Sequence, residues 1–266
     1  MLTDVLSSAT ASVPTGTLSV AVSGRPELER RSGELLPLAS VGKLLLLAEA
    51  AHGLATGTLD GDAPVRLDED DYCGGSGLLA ALTPRSWSVL DLARLTAAVS
   101  DNTATNALIR LLGIDRVNER AAALGLRQTR LLDRIREPRL AEHPRTFAVG
   151  TAAELLGLAE RIAGDEPWAR IVLGWMAACT DRSMVPACVP HDPEDHTVRP
   201  VGGDRLWVAN KTGTDAGTRC DVGVVRGVRQ LSYAVLTSCP PGDEFAMVGA
   251  MRAVGARLAA LAAGED

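Results

Sequence analysis

In the stretch "PLASVGKLLLLAEA", residues 37–50, Ser40 and Lys43 stand three positions apart at the start of a run too apolar to lie on a surface. Desolvating an ammonium is costly, so a lysine buried there must be paired, neutral or functional. Residues three apart share a helix face, which brings the Lys43 amine toward hydrogen-bond reach of the Ser40 hydroxyl. A serine hydroxyl is a weak nucleophile until a neighbouring base takes its proton, and a lysine of lowered pKa is such a base. The chemistry on offer is nucleophilic acyl transfer. Taken alone, the tetrad has a plainer reading, with Ser40 as a helix cap and Lys43 snorkelling to solvent. An S-x-x-K arises by chance roughly once in a chain of this length.

Two further motifs change the odds. "VSDNTATN" holds Ser100, Asp101 and Asn102, and "NKTGTDAG" holds Lys211, Thr212 and Gly213. Each alone reads as ordinary structure, a polar turn between helices for the first and a strand end turning at glycine for the second. All three in this order arise by chance in fewer than about one such chain in a thousand. Together S-x-x-K, S-D-N and K-T-G resemble the signature of the class A β-lactamases and the related penicillin-binding proteins. The resemblance runs from about residue 16 to the C-terminus.

The resemblance implies a role for each matching position. Ser40 is the acylated nucleophile, Lys43 its base or proton relay, and Ser100 the group that passes a proton to the leaving nitrogen. Asn102 holds the substrate's side-chain amide. Lys211, Thr212 and Gly213 lie on an edge strand, where the first two bind a substrate carboxylate with help from Arg219. The backbone amides of Ser40 and Thr214 form an oxyanion hole. In "LLDRIREPRLAEHP", which looks like the family's Ω-loop, Glu137 activates the deacylating water. This segment departs from the family in three ways. Ala141 stands where an asparagine is expected, an extra residue separates Asp133-Arg134 from Glu137-Pro138, and no acid lies between Glu142 and Glu154 to pair with Arg134 or Arg136. "GGSG", Gly74 to Gly77, falls where the site entrance is expected.

These residues need elements to hold them. "GTLSVAVSG" and "LERRSGE", within residues 15–35, alternate like two strands of a hairpin-like pair. From about 38 to 187 the period is helical, with capping boxes at Ser88–Asp91 and Thr151–Glu154 and a stop at Gly113. Strands return in "RLWVANKTG", "RCDVGVVRG" and "RQLSYAVLTS", and a helix over roughly 243–262 closes the chain. The expected fold is α+β, class A β-lactamase-like: an antiparallel sheet with flanking helices built from both termini, plus an inserted all-helical domain. Residues 1–36 and 190–266 form the first domain. Residues 37–189 form the second, carrying the S-x-x-K, S-D-N and Ω-loop elements.

Composition bounds the remaining function classes. A chain of 266 residues removes roughly 75% of its unfolded surface from water, ample for one large core or two. With four tryptophans, two tyrosines and two phenylalanines, that core is aliphatic. A net charge of −6 without a basic cluster argues against nucleic acid. The longest apolar stretch, "LLLLAEAA", is interrupted by Glu49, so no membrane span is expected. Five cysteines, an odd number, leave at least one unpaired unless another chain supplies a thiol, which favours a reducing compartment. "MLTDVLSSATASVPTG" lacks the basic start and apolar run of a secretory leader. The expectation is a cytoplasmic protein; the alternative is a secreted or periplasmic one whose leader has been removed. "CVPHDPEDH" lacks a second pair of ligands at zinc spacing and reads as a solvated loop, and His52 and His143 stand isolated, so neither metal nor cofactor is expected.

The first reading is therefore a serine β-lactamase acting through an acyl-enzyme on Ser40. Its rivals are a D-alanyl-D-alanine peptidase-like transacylase, a cytoplasmic hydrolase of another amide or ester, and a penicillin-binding sensor that stays acylated. The expected partner is a small-molecule β-lactam or other carboxylate-bearing amide or ester, bound by a monomer.

Overall fold

In a computed structural model describing residues 16–265, the chain begins with β1 (Thr17–Val22) and β2 (Leu36–Pro37), which leads into helix α1 (Lys43–Thr56). A short ribbon of β3 (Pro64–Arg66) and β4 (Ser86–Ser88) precedes helices α2 (Val89–Ala98), α3 (Asn102–Leu112) and α4 (Ile114–Ala123). Next come β5 (Arg130–Leu131) and β6 (Ala148–Gly150), then α5 (Ala152–Ile162) and α6 (Pro167–Ala177). The chain closes with β7 (Trp207–Asp215), β8 (Thr218–Arg226), β9 (Gln230–Ser238) and α7 (Glu244–Ala262). The N-terminal segment weighed as a leader, and with it the opening of the first expected domain, lies outside the described residues.

The main sheet is antiparallel with strand order β1-β9-β8-β7. Its side chains sort by the period of two that a strand imposes. Val20, Val208, Val225, Tyr233 and Val235 face α7, which covers them with Met251, Val254 and Leu258. Ala209, Val222, Val224, Ala234 and Leu236 face the other way and join the large core built on α1, α5 and α6. Both faces are covered, so these strands read as nearly continuous apolar runs. α7 has 19 residues and is apolar enough to cross a membrane by length and composition, contrary to the expectation from sequence. Its apolar side is the cover of the sheet, and about half of the helix is buried.

Four local expectations need correction. "LERRSGE" forms no strand. It meets β1 at a single bridge, Val20 to Arg30, while the partner of β1 residue by residue is β9, from Thr17–Ser238 to Val22–Tyr233. Residues 37–189 are not all helical, since they contain the β3–β4 ribbon and most of a three-stranded sheet, β2-β6-β5. Ser88 Oγ accepts from Asp91 N at 3.0 Å and Thr151 Oγ1 from Glu154 N at 3.2 Å, so both residues cap their helices. Neither box closes. The Glu154 carboxylate, for one, is taken by the backbone amides of Arg127, Gln128 and Thr129. All five cysteines are unpaired.

Candidate active site

Ser40 lies in a single 3-10 turn, Ala39–Gly42, wound onto the start of α1. The turn begins with Ala39 at φ 44°, a left-handed conformation that costs a residue with a Cβ on the order of 1 kcal/mol or more. Behind it runs β7. A Cβ on Gly213 would lie 2.4 Å from Leu38 O and 3.1 Å from Ser40 N, so only glycine lets the strand backbone pass this close. This is why a K-T-G strand and an S-x-x-K turn meet: the glycine lets the strand close on the turn, and Thr212 and Thr214 line the same cavity as Ser40.

Lys43 is fully buried in the first turn of α1. Its Nζ donates to Ser100 O at 2.6 Å, to Asn102 Oδ1 at 2.7 Å and to Ser100 Oγ at 3.1 Å. An ammonium has three donors, and these three acceptors use them all. The expected bond to Ser40 Oγ is not made, because the S-D-N turn offers three better-placed acceptors. Burial, reinforced by the charge of Lys211, pulls the Lys43 amine well below the ordinary lysine range, with Asp101 and Cys73 opposing. An amine so depressed can exist with a free lone pair, as a base must.

The S-D-N turn is itself anchored. Ser100 sits at φ 56° between α2 and α3. Asp101 caps α3 by accepting from Ala104 N at 2.8 Å, and its other oxygen takes the amides of Leu78 and Leu79 at 2.6 and 2.8 Å. Asn102 Nδ2 donates to Gly74 O at 2.7 Å. The "GGSG" segment is thereby tied across the S-D-N turn, and Ser76, which sequence reading passed over, is placed at the mouth of the site.

Two cavities meet at Ser40. The smaller, about 100 Å³, is lined by Ser40, Ser100, Lys211, Thr212 and Thr214, together with Asp181. Lys211 is fully buried and donates to Thr212 O at 2.9 Å. Burial lowers its pKa, opposed by Cys179, Asp181 and Asp221. The larger cavity, about 610 Å³, joins Ser40, Asn102 and Thr214 to Glu137 and Arg145. Glu137 is exposed, with its Oε2 beside Gly75 and near Asn102 Nδ2.

The segment around Glu137 is held from two sides. Asn106, buried in α3, donates Nδ2 to Ile135 O at 3.0 Å and accepts from Ile135 N at 2.8 Å. The missing downstream acid is replaced from within the segment: Asp133 takes Arg136 at 2.8 Å and Arg139 at 2.9 Å. Burial pushes the Asp133 carboxyl up, but these partners and the Arg134 amide outweigh it and hold it below the ordinary range. Arg134 turns instead to Asp70. Asn106 was legible only as one of several polar residues in the first turns of its helix, "NTATNALI". Ala141 is exposed and, among the described residues, does not line the cavity that holds Glu137.

Arg219 is the expected site residue that the structure does not bring in. Its Nη1 donates to Asp215 O and Thr218 O, both at 2.7 Å, closing the β7–β8 turn, and among the described residues it lines neither cavity at Ser40. The remaining expected residues converge.

A serine in a tight helix-leading turn, a buried lysine bonded to a second serine, and an edge strand against both define the class: a serine hydrolase of the β-lactamase type. The chain belongs to the β-lactamase enzyme family, which it matches over residues 2–260. Its fold is similar to a β-lactamase from Sphaerobacter thermophilus, with 24% identity, coverage of 99% of this chain and 96% of that one, and a TM-score of 0.83. It is similar also to PBP-A, at 20% identity over 98% and 96% of the two chains with a TM-score of 0.80. A variant of PBP-A is known as an acyl-enzyme complex with penicillin G, at 21% identity, 98% and 96% coverage and a TM-score of 0.80. No curated protein matches the sequence significantly.

Proposed function

We propose that this chain hydrolyses an amide of the β-lactam kind through an acyl-enzyme on Ser40. Ser40 Oγ attacks the carbonyl carbon and loses its proton to Lys43, directly or through the Ser100 hydroxyl 3.1 Å from the amine. The carbonyl oxygen becomes an oxyanion facing the Ser40 and Thr214 amides. The carbon–nitrogen bond then breaks, and Ser100 delivers the proton to the departing nitrogen. For deacylation Glu137 takes a proton from water, the hydroxide adds to the ester carbon, and the proton returns to Ser40 Oγ as the ester bond breaks.

The observation that carries this reading is Lys43: buried, depressed in pKa, and bonded to Ser100 Oγ beside the serine turn. A carboxylate in the same cavity as Ser40 favours turnover over a permanently acylated sensor. The test combines stopped-flow with a chromogenic cephalosporin and intact-protein mass spectrometry. Turnover with a transient adduct on Ser40 is expected. A stable adduct would make the protein a sensor or peptidase-like enzyme, and an adduct on any other residue would overturn the assignment.

A further inference from the structure

The smaller cavity at Ser40 contains a charge that the proposed reaction does not use. Asp181 lies four residues beyond the end of α6 and lines this cavity opposite Thr212 and Lys211. Its carboxylate is fixed in place, with Oδ1 accepting from Ser183 N at 3.0 Å and Ser183 Oγ at 2.6 Å. The backbone is fixed as well, since Asp181 O accepts from Asn210 Nδ2 at 3.2 Å and from Cys179 Sγ at 3.6 Å. Thr180 anchors the preceding turn to Ala98 O, beside Ser100. The neighbouring guanidinium of Arg182 is directed elsewhere, to Asn210 Oδ1 at 2.6 Å and Ala177 O at 2.8 Å.

Burial alone would push the Asp181 carboxyl up. The Ser183 hydroxyl and amide, the Thr212 hydroxyl and the charge of Lys211 together outweigh burial and hold it below the ordinary carboxylate range, so it is ionised at neutral pH. The charged groups lining the cavity are then Lys211 and Asp181, one of each sign. A second carboxylate entering there meets a like charge in a cleft that screens poorly. Arg219, the further cation the family resemblance implies, is absent from the lining. An uncharged group meets no such penalty: its carbonyl can accept from Thr214, since the Thr212 hydroxyl is committed to Asp181, and an N–H can donate to Asp181.

We infer that the subsite formed by Lys211, Thr212, Thr214 and Asp181 takes an uncharged amide-like group of the substrate and discriminates against a carboxylate, Asp181 being the residue that sets this choice. The inference rests on the reading of Ser40 as nucleophile and concerns only the group bound beside it.

The experiment compares two probes, a chromogenic cephalosporin with its ring carboxylate free and the same compound as the primary carboxamide. The wild-type chain is expected to show kcat/KM at least tenfold higher for the carboxamide. Asp181→Asn and Asp181→Ser, each checked for folding by thermal unfolding, are expected to shrink that ratio at least tenfold. A wild-type preference for the carboxylate, or a ratio unmoved in both variants, overturns the inference. Where a variant does not fold, the wild-type ratio decides. Where neither probe is turned over, their protection of Ser40 against a fluorophosphonate gives the same ratio, and equal protection overturns it. Failure of the underlying reading has its own signature: fluorophosphonate that does not add to Ser40, or a Ser40→Ala chain that still turns over substrate.

Discussion

The Lys43 amine has lost all contact with water and holds three partners within 3.1 Å, whereas Glu137, across the cleft, is exposed on a segment pinned through residues on either side of it. The wall proposed to carry out acylation is made of α1, the S-D-N turn and β7, elements whose other faces form the main core. Position there is set by packing, and pKa by desolvation. On the wall proposed to carry out deacylation, position is set by one buried asparagine, Asn106, and by the ion pairs of Asp133. Buried groups gain precision because every competing arrangement leaves polar atoms unpaired. Exposed groups keep access to water, which a hydrolytic step needs.

The most severe way to break the comparison is at the acylation wall. Ser40→Ala and Lys43→Met are each expected to lower kcat/KM by about 10⁴-fold or more, and the double variant to be little worse than either single one, since residues acting as a unit are not additive. Near-additive losses in steady-state kinetics would separate the pair.

At the deacylation wall the expected defect differs in kind. Glu137→Gln should keep a full acylation burst while steady-state turnover falls about 10²- to 10⁴-fold, the range for losing a general base. Burst amplitude by stopped-flow and adduct mass check this; equal loss of burst and turnover would move Glu137 into the acylation step.

Asn106 joins the two walls, so its removal sharpens the contrast. Asn106→Ala leaves the Ile135 amide and carbonyl without their partner, at a cost of about 1–3 kcal/mol. A fall in Tm of several degrees is expected, with deacylation slowed more than acylation in single-turnover kinetics.

A smaller effect distinguishes the walls by pH. Asp221, behind β7, accepts from Asn210, Tyr233 and the Val185 amide, yet burial outweighs these donors and raises its carboxyl to about 7. The folded state therefore binds a proton that the unfolded state, with an ordinary value of 3.8, gives up earlier. Its contribution to stability is fully present below that ordinary value and is lost as the pH rises to about 7. Thermal unfolding from pH 4 to 8 should show this decline in wild type and a flatter profile in Asp221→Asn. Least of all, Ala141→Asn should leave turnover within about twofold, because Ala141 is exposed and outside the cavity lining. A clear gain would place residue 141 at the deacylating water after all.

Sequence alone singled out the candidate residues and most of the elements that hold them. The three motifs depend on residue type and local spacing, and strands and helices announce themselves by their periods; Ser40, Lys43, Ser100 and Lys211 were legible for that reason, and Glu137 only through the resemblance of its segment to the family's Ω-loop. Tertiary structure decided what each side chain bonds to. Lys43 spends its donors on Ser100 and Asn102 rather than Ser40, and β1 pairs with β9 more than 200 residues downstream instead of with its neighbour. Arg219 closes a turn, Asn106 and Asp133 hold the Glu137 segment, and Asp181 stands beside Lys211. A side chain's partner is set by competition among all the donors and acceptors that folding brings within reach, and those come from distant parts of the chain that no local pattern ranks.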